Sequence, residues 1–120
     1  MSRPVSHLAL TAVDKTITIT CDDRDNALGG NMSHNYRIEG PFGVQELHFQ
    51  RGPVVEAGVN GITNEDLIAI VIDRLEGAQE GPFKSRYNAL AITALQEAEN
   101  WLSRRTLDRM ARGVEGQSKA

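Results

Sequence analysis

One cysteine in 120 residues, Cys21, leaves no partner for a disulfide within the chain and no thiolate set for zinc. A reducing compartment is the simplest environment for such a chain. Histidine is nearly as scarce. His7, His34 and His48 are scattered without ligand spacing, so no metal site is expected. Long hydrophobic runs are missing as well: Leu67–Ile72 is an unbroken apolar stretch of only six, far short of the ~20 residues that cross a bilayer. Met1-Ser2-Arg3-Pro4 leads into no apolar signal core. The expectation is therefore a cytoplasmic protein with no membrane partner. There is also no cationic surplus. Thirteen Lys and Arg against sixteen Asp and Glu give a net charge of −3, which argues against general nucleic-acid binding.

What is present is the balance of an ordinary globular chain, 40% hydrophobic and 24% charged. Its length suits one domain with a modest core, which a second copy would enlarge. The expected organisation is a β-rich part over 1–61, a helical part over 62–113 and a polar tail over 114–120. In the first part, 7–13 is a short apolar run and Thr16-Ile17-Thr18-Ile19-Thr20 alternates with period two. Asp22–Asn31 reads as a loop, 34–38 and 44–50 as strands, and Val54–Glu56 as a strand returning antiparallel after Arg51-Gly52-Pro53. Gly58-Val59-Asn60-Gly61 reads as a turn.

From Thr63 the texture is helical. Thr63 suits an N-cap, with Glu65 and Asp66 in the first turn. The run Leu67–Ile72 predicts burial on most sides, which in so small a protein points to a subunit interface. Gly77–Gly81 reads as a hinge, and Pro82 as part of the first turn of a second, long helix ending near Arg112 before Gly113. Tyr87, Leu90, Ala91, Ala94, Leu95, Ala98, Trp101 and Leu102 recur at three- and four-residue spacing as its buried stripe. The fold class is thus α+β: an N-terminal antiparallel sheet followed by two C-terminal helices, interlocked as a homodimer or larger assembly.

The same stripe, carried forward, reaches Arg105 and Arg109. Two arginines at a helix end can complement the dipole in solvent, or clamp a phosphate with paired guanidinium donors. Asn88, near the start of this helix, is either a structural amide or a reader of a base or ribose edge. No nucleophile–base pattern, glycine-rich phosphate loop or calcium loop is present. No catalysis and no cofactor are expected.

Several uncommon strings then occur in one order. They are Phe49-Gln50-Arg51-Gly52-Pro53-Val54, Gly58-Val59-Asn60-Gly61, the stretch from Glu65 to Leu75, Gly81-Pro82-Phe83, Arg86 to Thr93, Arg105-Thr106-Leu107-Asp108-Arg109 and Arg112-Gly113-Val114-Glu115-Gly116. Over about 48–117 the chain resembles the phage Thoeris anti-defence family of the first-described type. That family shares its C-terminal hook region with phage sponges against cyclic-oligonucleotide (CBASS) defence. The resemblance implies a binder that sequesters glycocyclic ADP-ribose, a TIR-derived signal, in the cytoplasm of the infected bacterial host and leaves it intact. It implies a homodimer or trimer of dimers with pockets between chains, and in some members a separate site for cyclic di- or trinucleotides. By position, the ligand-contacting asparagine falls on Asn88 and the phosphate-binding arginines on Arg105 and Arg109. Where relatives often carry a stacking aromatic, this chain has Ala78, with Phe83 and Tyr87 as the nearby substitutes.

Spacing adds a condition. Asn88 and Arg105 are 17 residues apart, roughly 25 Å on one straight helix, so one small ligand touches both only if they come from different chains, antiparallel across a two-fold axis. The competing readings are a cyclic-oligonucleotide sponge, a DNA-binding regulator that inserts its arginine-rich helix into the major groove, and a phosphoesterase.

Overall fold

The computed structural model describes residues 2–5, 15–25 and 30–113. The apolar run over 7–13, the middle of the Asp22–Asn31 loop and the tail over 114–120 lie outside the described residues. The chain divides into two compact units, Met1–Ile62 and Thr63–Ala120.

In the first unit, β1 (Ser2–Pro4), β2 (Thr18–Asp22), β3 (Asn35–Gly40) and β4 (Gly43–His48) pair antiparallel in chain order. The N-terminal antiparallel sheet is as the sequence predicts. The alternation from Thr16 enters the ladder two residues late, because Thr18 pairs with Glu39 and β3 ends one residue further on, at Gly40. There the chain reverses through Pro41 and Phe42 into Gly43. The Phe42 ring lies where a side chain on Gly40 would stand, 2.6 Å from that position. Period-two geometry sends Ile19, Cys21, Tyr36, Ile38 and Leu47 to one face, with Cys21 buried. The other face carries Asp22, Asn35, Arg37, Glu46 and His48.

Val54–Glu56 is not a strand. It lies in a single helical turn, α1 (Val54–Ala57), because Pro53 at φ −67° offers its carbonyl to the amides of Glu56 (3.1 Å) and Ala57 (2.7 Å). The segment that does return is Ile62, bridged in parallel to Phe49. Gln50 and Asn60 hold the loop between them. Gln50 Nε2 donates to the carbonyls of Gly52 and Gly58, and its Oε1 accepts from the Asn60 amide. Asn60 in turn bonds both the N–H and the C=O of Arg51. Gly61 is required at this closure, since a Cβ there would stand 2.6 Å from the carbonyl oxygens of both His48 and Phe49.

Asp22 ties β2 to the start of β3. Partial burial raises its pKa, but the amides of His34 and Asn35 and the Asn35 side chain outweigh that effect, and the carboxyl titrates below its ordinary 3.8. A carboxyl depressed in the folded state contributes stability that is present above the unfolded pKa and lost as pH falls through the folded one. Asp22→Asn should therefore flatten the loss of stability below about pH 4, read as urea midpoints across pH 2–6, with little change in the slope above that range.

In the second unit, Thr63 is the N-cap of α2 (Asn64–Gln79) and forms a reciprocal capping box with Asp66, at 3.2 Å and 2.9 Å. The helix does not stop at Gly77 but runs through it to Gln79, so the break is the stretch 80–85. Pro82 precedes the next helix without joining it. Ser85 is the N-cap of α3 (Arg86–Ala111), accepting from the Asn88 amide at 3.0 Å. The helix ends as expected, with Gly113 at φ +71°.

Helices α2 and α3 pack together across this short connection as an antiparallel hairpin. On α2 the inward positions are Glu65, Ile68, Ile72, Leu75 and Gln79, of which Ile72 is buried. The run Leu67–Ile72 is thus not enclosed on most sides within one chain, since Ile70 is 62% exposed. On α3 the inward arc is Asn88, Ala91, Ile92, Leu95, Ala98, Leu102, Thr106 and Arg109. The predicted stripe splits in two. Ala91, Leu95, Ala98 and Leu102 face α2, whereas Tyr87, Leu90, Ala94 and Trp101 are exposed. At 3.6 residues per turn, Tyr87, Leu90, Ala94, Trp101 and Arg105 fall within about 60° of one another, beside the inward arc. Antiparallel packing turns the matching flank of α2, with Val71 and Ala78, to the same side.

Candidate functional site

The predicted residues lie in two groups on the hairpin. The first is at the connection. Gln79 and Ser85 exchange two hydrogen bonds, from Gln79 Nε2 to the Ser85 carbonyl (3.0 Å) and from the Ser85 amide to Gln79 Oε1 (2.9 Å). Asn88 Nδ2 donates to the Phe83 carbonyl at 3.0 Å. The Asn88 amide group is therefore half-buried and partly engaged, with its Oδ1 outside this bond. Phe83 and Tyr87 are each 79% exposed beside it, and Ala78 is half-buried on the last turn of α2. Sequence reading missed Gln79 and Ser85, whose signal was an N-cap serine three residues before Asn88.

The second group is at the far end of α3. That helix has 26 residues against 16 in α2, so its last turns outrun its neighbour by about 15 Å. Arg105 is on this overhang, exposed and without a hydrogen bond or ion pair to a described residue. It is not on the inward arc where the sequence stripe put it. Arg109 is, at 7% exposure, with its guanidinium engaged. The two arginines therefore differ in setting: Arg105 is exposed, and Arg109 is buried and engaged. Arg112 pairs with Asp108 at 3.1 Å, and the Arg104 guanidinium lies 5.8 Å from the centre of the Trp101 ring. Asn88 and Arg105 are separated by about 25 Å of helix, so one chain does not bring the two groups together.

None of these residues lines the hollow of about 570 Å³ on the polar face of the sheet. Its charged lining side chains pair with one another, with His48 Nδ1 2.7 Å from Asn35 Oδ1 and Arg37 between Glu39 and Glu46. That is the pattern of a solvated sheet face. Among the described residues no three His, Cys, Asp or Glu side chains gather as metal ligands, and no helix is long and apolar enough to cross a membrane.

An antiparallel meander followed by a helical hairpin, with an exposed arginine on the overhang of its second helix, defines an α+β hairpin protein. The sequence model of the family "Acb2/Tad1, hairpin domain" matches residues 45–107, from β4 through most of α3, and the chain belongs to that family. Over 70 residues the chain is 57% identical to Thoeris anti-defense 1 of Bacillus phage SBSphiJ7. That similarity covers 58% of this chain and 49% of the relative, so the chain spans about half the length of the protein it matches. Ala78, Phe83, Tyr87, Asn88 and Arg105 fall inside the family match, and Arg109 lies two residues past it.

Proposed function

We propose that this protein is an anti-defence sponge. It binds glycocyclic ADP-ribose between two copies of the chain and withholds it, uncleaved, from Thoeris immunity in the infected bacterium. The observation that carries this reading is the 57% identity to Thoeris anti-defense 1 across the segment that holds the hairpin.

The geometry supports it in two ways. First, the asparagine end and the arginine end of α3 meet only if two helices run antiparallel, which places Asn88 of one copy beside Arg105 of the other. Second, the surface that such pairing needs is apolar. Tyr87, Leu90 and Ala94 form an exposed stripe on α3, flanked by Val71 of α2. Contiguous apolar surface of this kind marks an interface. An antiparallel pairing centred on the middle of α3 sets Tyr87 against the partner's Arg105. A dimer, alone or as three in one assembly, is the unit that binds.

No group on the hairpin is arranged for bond cleavage. The arginines hold the pyrophosphate and the amide orients the sugar or base, so binding alone removes the signal. The second reading, a sponge for cyclic di- or trinucleotides, draws on the hook region shared with anti-CBASS sponges. Light scattering should find at least a dimer at micromolar concentration. Calorimetry should find saturable binding of glycocyclic ADP-ribose at one or two sites per dimer. A stable monomer, or binding confined to cyclic oligonucleotides, would overturn the reading.

A further inference from the structure

We infer that Trp101 is the stacking platform for the base of the bound signal, acting beside Arg105 on the same face of α3; the inference rests on the sequestration reading above. Trp101 is the single tryptophan of the chain and is 71% exposed. An indole buries more apolar surface than any other side chain, so this exposure leaves a large ring uncovered. Its orientation is held: the Arg104 guanidinium sits 5.8 Å from the ring centre, in cation–π range. Arg105 follows four residues after Trp101, which makes them neighbours on one helix face. Arg105 has no hydrogen-bond or ion-pair partner among the described residues.

A flat π surface next to an unpaired guanidinium matches a base and the phosphate of its own nucleotide. The local charge favours this occupant over dry packing against a second copy. The stripe changes from Leu90 and Ala94 to Trp101, Arg104 and Arg105 at this point, and burying two guanidinium groups in an apolar contact would be costly. The apolar half of the stripe serves assembly, and the Trp101–Arg105 half serves the ligand.

Because the chain has one tryptophan, its fluorescence reports on this residue directly. Titration of the intact assembly with glycocyclic ADP-ribose should change Trp101 emission with the same midpoint as calorimetry. Trp101→Leu keeps apolar bulk without the stacking surface; it should hold the same assembly in light scattering and bind about ten- to a hundredfold more weakly. Trp101→Phe should lose less. Calorimetric binding with unchanged emission, together with full affinity in Trp101→Leu, would overturn the inference and leave sequestration intact. Loss of assembly in Trp101→Leu would make Trp101 an interface residue and also overturn it. Absence of binding by the parent protein would remove both proposals.

Discussion

Arg105→Ala should weaken binding of glycocyclic ADP-ribose by about ten- to a hundredfold without changing stability or assembly. A charge-assisted contact to a phosphate is worth ~1.5–3 kcal/mol, and Arg105 makes no hydrogen bond or ion pair that folding depends on among the described residues. Arg105→Lys should recover only part of the affinity, since an ammonium keeps the charge but loses the paired donors. Arg109→Ala should behave differently. Its side chain is buried and engaged, so the substitution lowers the melting temperature as well as the affinity. Arg112→Ala, whose guanidinium already pairs with Asp108, should cost little directly, and Arg104→Ala only what its contact with the Trp101 ring contributes. Calorimetry beside thermal melts separates these outcomes. Equal weakening by all four alanine variants would mean a diffuse basic surface instead of a clamp.

Leu90→Glu should abolish assembly and binding together while the hairpin stays helical. Leu90 is half exposed in the single chain and lies mid-stripe on α3. A two-fold pairing would bury the new carboxylate twice per dimer, and an unpaired buried charge costs several kcal/mol. Glutamate is itself a good helix former, so circular dichroism should be unchanged. Leu107→Glu is the control. Leu107 is just as apolar and exposed, at 62%, but lies about 100° round α3 from Leu90, off the stripe. It should remain a dimer by light scattering and keep its affinity. If Leu90→Glu still assembles, the stripe is not the contact.

The fold class was legible because its signals are local. The alternation Thr18-Ile19-Thr20, the Thr63 cap and Gly113 each act over a few residues, and each does what its chemistry implies. The errors came where a non-local partner decides. Val54-Val55-Glu56 has strand composition, yet Pro53 starts a helical turn and Ile62 takes the pairing position with Phe49 instead. Gly77 looked like a hinge, but Gln79 reaches Ser85 and carries the helix past it. Apolar spacing predicts a single buried face on α3 because it does not say what covers each residue. Only the placement of α2 separates Leu95 and Leu102, which it covers, from Leu90 and Trp101, which it leaves open. For the same reason Arg105 and Arg109 looked equivalent in sequence and are not. The site residues themselves follow from the resemblance; composition and spacing leave Asn88 and the arginines open to structural roles.

The central claim is that the signal is held and not destroyed. The direct measurement is to incubate the purified protein with lysate from cells whose TIR protein has been activated, recover it, denature it by heat and identify the released molecule by mass spectrometry. The account predicts intact glycocyclic ADP-ribose, at no more than two molecules per dimer, and far less of it from Arg105→Ala. Release of linear ADP-ribose, or of nothing, would contradict it.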